Sequence, residues 1–194
     1  MGILNRLTSN RHAGDADSAW NRPNLQGPEV LSISSPEFND GESLPLECAS
    51  PRVGGTNRSP SLIWGALPPE TATLVLVMED LDVPLGKPFV HCLAILDPTL
   101  LTSPDRLAAG ALSEVAPVPG LRLMRSTIDQ GYQGPYPPKG SGIHRYTFQL
   151  FACSEPITDP SSGSELGQLK PRDVLSQVSS PVIGRGRITG TFQR

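Results

Sequence analysis

Hydrophobic residues cluster in this chain as short runs rather than as helical stripes. Residues 73–79 hold five consecutive apolar side chains, Leu74 to Met78, as expected of a central strand covered on both faces. Residues 89–96 form a second such run, and residues 144–152 a third, rich in aromatic and β-branched side chains. Shorter candidates are Val30, Leu31 and Ile33, closed by Ser35-Pro36, then residues 61–64, and the alternating stretch 186–192. Helical spacing is visible once, over 171–178, where Val174, Leu175 and Val178 share a stripe and Pro171 opens the first turn. Asn39-Asp40-Gly41 predicts a turn and residues 51–60 a loop, while residues 97–130 are irregular and broken by Pro98, Pro104, Pro117 and Pro119. Several strands, turn-rich joints and one or two short helices predict an all-β sandwich of antiparallel sheets.

Composition sharpens this picture. The 194 residues include 19 Gly and 21 Pro, suited to many short elements, and 37% hydrophobic residues, enough for one core. Residues 1–26 are polar and read as an arm, with a helical turn near Ile3 to Leu7 and Trp20 as its anchor on the body, residues 27–194. A net charge of -3 leaves no broad basic face for nucleic acid. No apolar run approaches the roughly 20 residues of a spanning helix, and the first residues lack a signal-peptide core, so a cytoplasmic location is expected. Cys48, Cys92 and Cys153 are too widely spaced for a metal motif and read as buried free thiols. Neither a cofactor nor a metal is expected. Asn57-Arg58-Ser59 matches a glycosylation sequon, but Pro60 follows it and chance explains it.

The candidate chemistry lies at strand ends. Side chains two apart share a face. His144, Tyr146, Phe148 and Leu150 therefore form one row, Phe89, His91, Leu93 and Ile95 another, and Leu74, Leu76 and Met78 a third that Asp80 extends. A hairpin through residues 81–88 would bring Asp80 and His91 to one rim, and an adjacent third strand would add His144. Two imidazoles can donate hydrogen bonds to a phosphate or carboxylate, and an aspartate beside them would raise their pKa. Tyr132 and Tyr146 add hydroxyls, and the Pro/Gly-rich stretch 134–142 a fixed contour. Two histidines and an aspartate also match some iron and zinc sites, although no short ligand motif accompanies them. A G-x-S-x-G elbow and a P-loop are both absent. Cys92 should face away from His91, which argues against a Cys–His nucleophile. Acid–base catalysis by Asp80, His91 or His144 stays open.

Three strings resemble signatures of the phosphatidylethanolamine-binding protein (PEBP) family. Asp80-Leu81-Asp82-Val83-Pro84 is similar to the family's D-P-D-A-P, residues 134–146 to its G-x-x-P-P-x-G-x-G-x-H-R-Y string, and residues 57–64 to its N-x-S-P-x-L-x-W stretch. The resemblance implies two antiparallel sheets with Greek-key links and a few short peripheral helices. It also implies a pocket for phosphate, carboxylate or phospholipid head groups at Asp80, His91, Pro137, Pro138, His144 and Tyr146, with Asp82 and Tyr136 beside it. Leu81 and Val83 replace the usual Pro and Ala and make the wall bulkier. The end soon after the last strand resembles the short microbial type and leaves no room for the animal type's C-terminal helix. That counts against kinase inhibition by analogy, so a binding protein is expected first and a protease or kinase inhibitor only as a weaker reading; in filamentous fungi members similar to it also occur in natural-product pathways that couple maleic anhydride units, which implies an enzyme or accessory protein as the alternative. The expected partners are accordingly a small anionic ligand, a pathway enzyme and, in a homodimer, a second copy.

Overall fold

The structure is a computed structural model that describes residues 14–84, 86–113, 118–159 and 165–194. Its elements are β1 (Leu62–Ile63), β2 (Thr73–Asp80), β3 (Phe89–Leu96), β4 (Arg106–Leu107), β5 (Leu121–Leu123), β6 (Ile143–Cys153), α1 (Pro171–Ser176) and β7 (Val182–Gln193), with a few single 3-10 turns between them. Five strands form one sheet in the order β5-β3-β2-β6-β7, antiparallel throughout, and β1 pairs with β4 in a small second sheet. Strands β2, β3 and β5 follow one another across the sheet, and β6 returns beside β2. That order is a Greek key.

The long apolar runs end up central because both faces of the sheet are covered. One face places Leu74, Leu76, Met78, Phe148 and Leu150 against Leu62, Trp64 and Leu107 of the small sheet and its flanking loops. The other places Val75, Val77, Leu93 and Phe151 against Trp20 and Leu25 of the arm and against Val174 and Leu175 of α1. Trp20 is buried against the body. It packs on Phe151 with ring centroids 6.0 Å apart, and the guanidiniums of Arg185 and Arg187 lie 4.1 and 4.6 Å from its ring.

Several expectations need correction. Residues 30–33 form no strand. Backbone bonds join that stretch to β7 only around Arg185, whose N–H donates to Pro28 O (2.9 Å) and whose carbonyl accepts from Leu31 N (3.1 Å), and Val30 is exposed. The stretch from 97 to 130 holds β4 and β5, too short to leave a periodic signal. The helix closes at Ser176, two residues early. The helical turn expected near Ile3 to Leu7 lies outside the described residues.

The correction with most consequence concerns β3. Met78 pairs with Cys92 and Glu79 with Val90, so His91 is the extra residue of a β-bulge. Past the bulge the alternation reverses. Leu93, Ile95 and Val90 fall in the core layer under the arm, whereas Cys92, Ala94 and Leu96 fall in the layer shared with Tyr146 and Met78. His91 therefore does not share a face with Leu93 and Ile95. Its ring sits edge-on to Tyr146, 5.2 Å between centroids, on the side of the sheet that carries Asp80. Without the bulge, simple alternation would have put His91 on the opposite face.

Candidate functional site

The hairpin β2–β3 pairs Asp80 with Phe89, and β6 pairs Tyr146 with Asp80 from the other side. The three polar strand ends consequently meet at one edge of the sheet. Above that edge lies a cavity of about 620 Å³. Asp80, His91, Tyr136, Pro137 and Pro138 line it with Gly134 of the Pro/Gly-rich stretch, joined by residues that the sequence did not mark for the pocket: Ser50, Arg52, Asn57, Phe89, Ile128, Asp129 and Gln133.

His91 is buried, and its Nδ1 lies 2.6 Å from the carbonyl oxygen of Gln133. A carbonyl has no proton to give, so Nδ1–H is the donor and a neutral ring carries its lone pair on Nε2. The bulge also directs the His91 carbonyl outward, where it accepts from Gln133 N at 2.8 Å. The two residues are thus clasped twice. Burial pulls the His91 pKa below its ordinary value and outweighs the raising effects of the Gln133 carbonyl and of Asp80. Proximity to an aspartate was expected to raise it; the lost solvation wins.

His144 stands behind the cavity rather than on its wall. Its Nδ1 donates to the Asp80 carboxylate, 2.8 Å from Oδ2, and both side chains are almost fully buried. Its Nε2 meets Ser141 Oγ at 2.9 Å, and that hydroxyl lies 2.7 Å from Pro138 O. Ser141 has a single proton. Directed at Pro138 O, it requires His144 to donate from both nitrogens as an imidazolium; directed at Nε2, it leaves His144 neutral. Asp80 Oδ1 also accepts from Asp82 N at 2.9 Å. The Asp80 carboxylate is therefore held from two sides before any guest enters.

Asp82 and Tyr146 also lie off the cavity wall. Asp82 accepts from Arg145 three times, from the backbone N–H and from Nε and Nη2, each at 2.8 Å. That pairing raises the Arg145 pKa further and ties β6 to the β2–β3 hairpin loop. Tyr146 is fully buried. Its hydroxyl lies beside Asp80 and the backbone of Tyr136 but closes no hydrogen bond of normal geometry, and burial pushes its pKa well up. Cys92 lies in the same core layer as Tyr146, not on the opposite face from the site as expected. Burial pushes its thiol up to about 12, so it supplies no thiolate near neutral pH.

The outer wall is positioned by Asn57 and Gly134. Asn57 adopts φ 57, uncommon for a side chain with a Cβ, and its amide donates to Tyr132 O (2.9 Å) and accepts from Gly134 N (2.6 Å). A Cβ at Gly134 would lie 2.4 Å from Cys48 O, so only glycine lets the two loops approach this closely. Asn57 lies in the sequon-like string, where its work is that of a clamp. The Tyr136 ring is exposed and flanked by the guanidiniums of Arg52 at 5.6 Å and Arg194 at 4.7 Å. Among the described residues no group of three or more His, Cys, Asp or Glu is placed to hold a metal ion, and no helix is long and apolar enough to cross a membrane.

Comparisons with known proteins agree with this architecture. The family model described as phosphatidylethanolamine-binding protein matches residues 34–193. A Mycobacterium tuberculosis protein named putative lipoprotein LppC is 32% identical over 170 residues, 85% of this chain and 73% of that protein. A fungal protein named phomoidride biosynthesis cluster protein B is 33% identical over 116 residues, 58% of this chain and 55% of its own length. Among solved structures, Escherichia coli YbcL, described as a new member of the mammalian PEBP family, superposes with a TM-score of 0.71 at 24% identity, over 84% of this chain and 98% of that one. The fold, the family match and the sequence relatives agree: this chain belongs to the phosphatidylethanolamine-binding protein family.

Proposed function

We propose that the protein binds a small phosphate- or carboxylate-bearing ligand in the cavity above Asp80 and His91. One observation carries the reading: a single cavity is lined by Arg52, Ser50 and a buried His91 whose Nε2 has no hydrogen-bond partner among the described residues. Two carboxylates, Asp80 and Asp129, share the wall and repel an anion. The Asp80 carboxylate is already engaged by His144 Nδ1 and Asp82 N–H, so Arg52 and a protonated His91 provide the attraction. His91 is deficient in protons in the free protein because burial lowers its pKa. An anion restores the charged form, so binding takes up a proton and strengthens as pH falls.

Calorimetry with sulfate, whose charge is constant over the range, tests this. Affinity should rise from pH 8 to 5.5, and Arg52→Ala or His91→Ala should each weaken it about tenfold, in line with the loss of one charge-assisted contact. Unchanged affinity in both variants would end the reading. A cytoplasmic location belongs to the same proposal, supported by the three unpaired buried thiols, Cys48, Cys92 and Cys153. Fractionation that recovers the chain with membranes would contradict it.

A second reading is favoured by the similarity to the biosynthesis cluster protein. Here the neutral His91, with a lone pair on Nε2, acts as a general base on an anionic, enolisable metabolite, alone or beside a pathway enzyme. Asp80 and His144 would hold the conjugate charge. Reconstitution of such a pathway with wild type and with His91→Ala separates the readings. A changed product profile only with wild type supports catalysis or assistance; identical profiles leave binding as the function.

A further inference from the structure

A second cleft, of about 470 Å³, opens on the other side of Phe89, which lines both cavities. The tip of the β2–β3 hairpin, the loop after β5 and the start of α1 form it. Its floor is apolar, made by Pro88, Phe89 and Pro171. Around the floor stand four cations, Lys87, Arg125, Lys170 and Arg172, against one acid, Asp173. In a chain with a net charge of -3, such a concentration is out of proportion to the rest of the surface.

The four cations are not equivalent. Arg172 is committed inward, to Glu79 at 3.1 Å and to the carbonyls of Asp17 and Pro88. Glu79 cancels its charge. Arg125 donates to Gln168 O at 3.3 Å, and among the described residues none of Arg125, Lys87 and Lys170 has an ion pair. With Asp173 counted against these three, the cleft keeps two uncompensated positive charges beside an apolar floor. Like charges held together repel one another, and a bound counter-charge relieves that. The arrangement fits a ligand with two negative charges on one head and a hydrophobic body.

We propose that this cleft is a binding site for a phosphate monoester carried on an apolar chain or ring, separate from the Asp80–His91 cavity. The dianionic head sits among Lys87, Arg125 and Lys170, and the body lies over Pro88, Phe89 and Pro171. No group in the anion reading of the first cavity is needed for it except the shared Phe89 wall.

Titration with hexyl phosphate at low ionic strength tests the site, with inorganic phosphate and phosphatidylglycerol vesicles as the other arms. In an Arg52→Ala/His91→Ala background, where the first cavity is weakened, hexyl phosphate should still bind the cleft, more tightly than inorganic phosphate does, and less tightly as salt is added. Arg125→Glu combined with Lys170→Glu should weaken it by about tenfold or more, with sulfate binding in the first cavity and the melting temperature retained. Lys87→Glu, at an exposed position, serves as the second variant and should weaken it in the same direction. Equal affinity in all charge-reversed variants, loss of binding in the Arg52→Ala/His91→Ala background, or inorganic phosphate binding as tightly as hexyl phosphate would each overturn the proposal. Binding to the vesicles without binding to hexyl phosphate would overturn it as well, and would make the cleft part of a membrane-facing surface.

Discussion

His91 illustrates how one residue acquires its chemistry from its surroundings. Its pKa is lowered in the folded protein, so the unfolded chain binds the extra proton first. Its contribution to stability is whole above the ordinary imidazole value, about 6.5, and is lost as pH falls through the lower folded-state value. Urea unfolding of wild type against His91→Gln between pH 8 and 5 should show wild type losing more stability on acidification than the variant. Sulfate should shrink that difference. Parallel curves would contradict the proposed protonation of this residue. At the same scale, the histidine, the acidic pair and the proline pair were legible in the sequence because each lies in an unusual string. Arg52 and Ser50 were not, and the role of Asn57 as a clamp was not, although its string was noticed. They sit in a loop of ordinary composition, and nothing local shows that it folds over the mouth of the cavity.

At the scale of elements, the buried carboxylate of Glu79 does the joining. It accepts from Ala19 N at 2.7 Å, from Gln149 Nε2 at 2.9 Å and from Arg172 at 3.1 Å, linking the arm, β6 and α1 to β2. Burial pushes its pKa up against the lowering pull of those same partners. Glu79→Ala removes the acceptor of Ala19 N and Gln149 Nε2 and the counter-charge of Arg172, and the expected cost is about 3 kcal/mol. A loss in denaturant unfolding below about 1 kcal/mol, the net worth of one ordinary hydrogen bond, would show that the junction is held by packing alone. The strands that carry the site, β2, β3 and β6, were readable because long apolar runs force burial on both faces. β4 and β5 were missed because two or three residues set no period and prolines surround them. The bulge at His91 was missed for a deeper reason. A bulge exists only as a relation between two strands, and the alternation of one strand contains no record of it.

For the whole molecule, the arm joins α1 in covering the face of the central sheet that the small sheet leaves open. Trp20, with Ala19 and Leu25, covers the layer that includes Val75, Val77 and Phe151. Trp20→Ala removes a buried aromatic and the surface on which Arg185 and Arg187 rest. It should cost about 3–5 kcal/mol, the usual range for a large aromatic deleted from a core, and should lower the unfolding midpoint without changing the first cavity. A midpoint equal to that of wild type would make the arm an appendage. The sequence alone determined the class of fold, the three central strands, the hairpin that brings Asp80 toward His91, and the family resemblance. Those depend on local hydrophobic pattern and short strings. Tertiary structure alone decided that His91 turns to the Asp80 side, that His144 stands behind the wall as the partner of Asp80, that burial overrides the aspartate's pull on the His91 proton, and that a second, cationic cleft lies beyond Phe89. Each of those depends on which distant segments exclude water from one another, and no window along the chain contains that information.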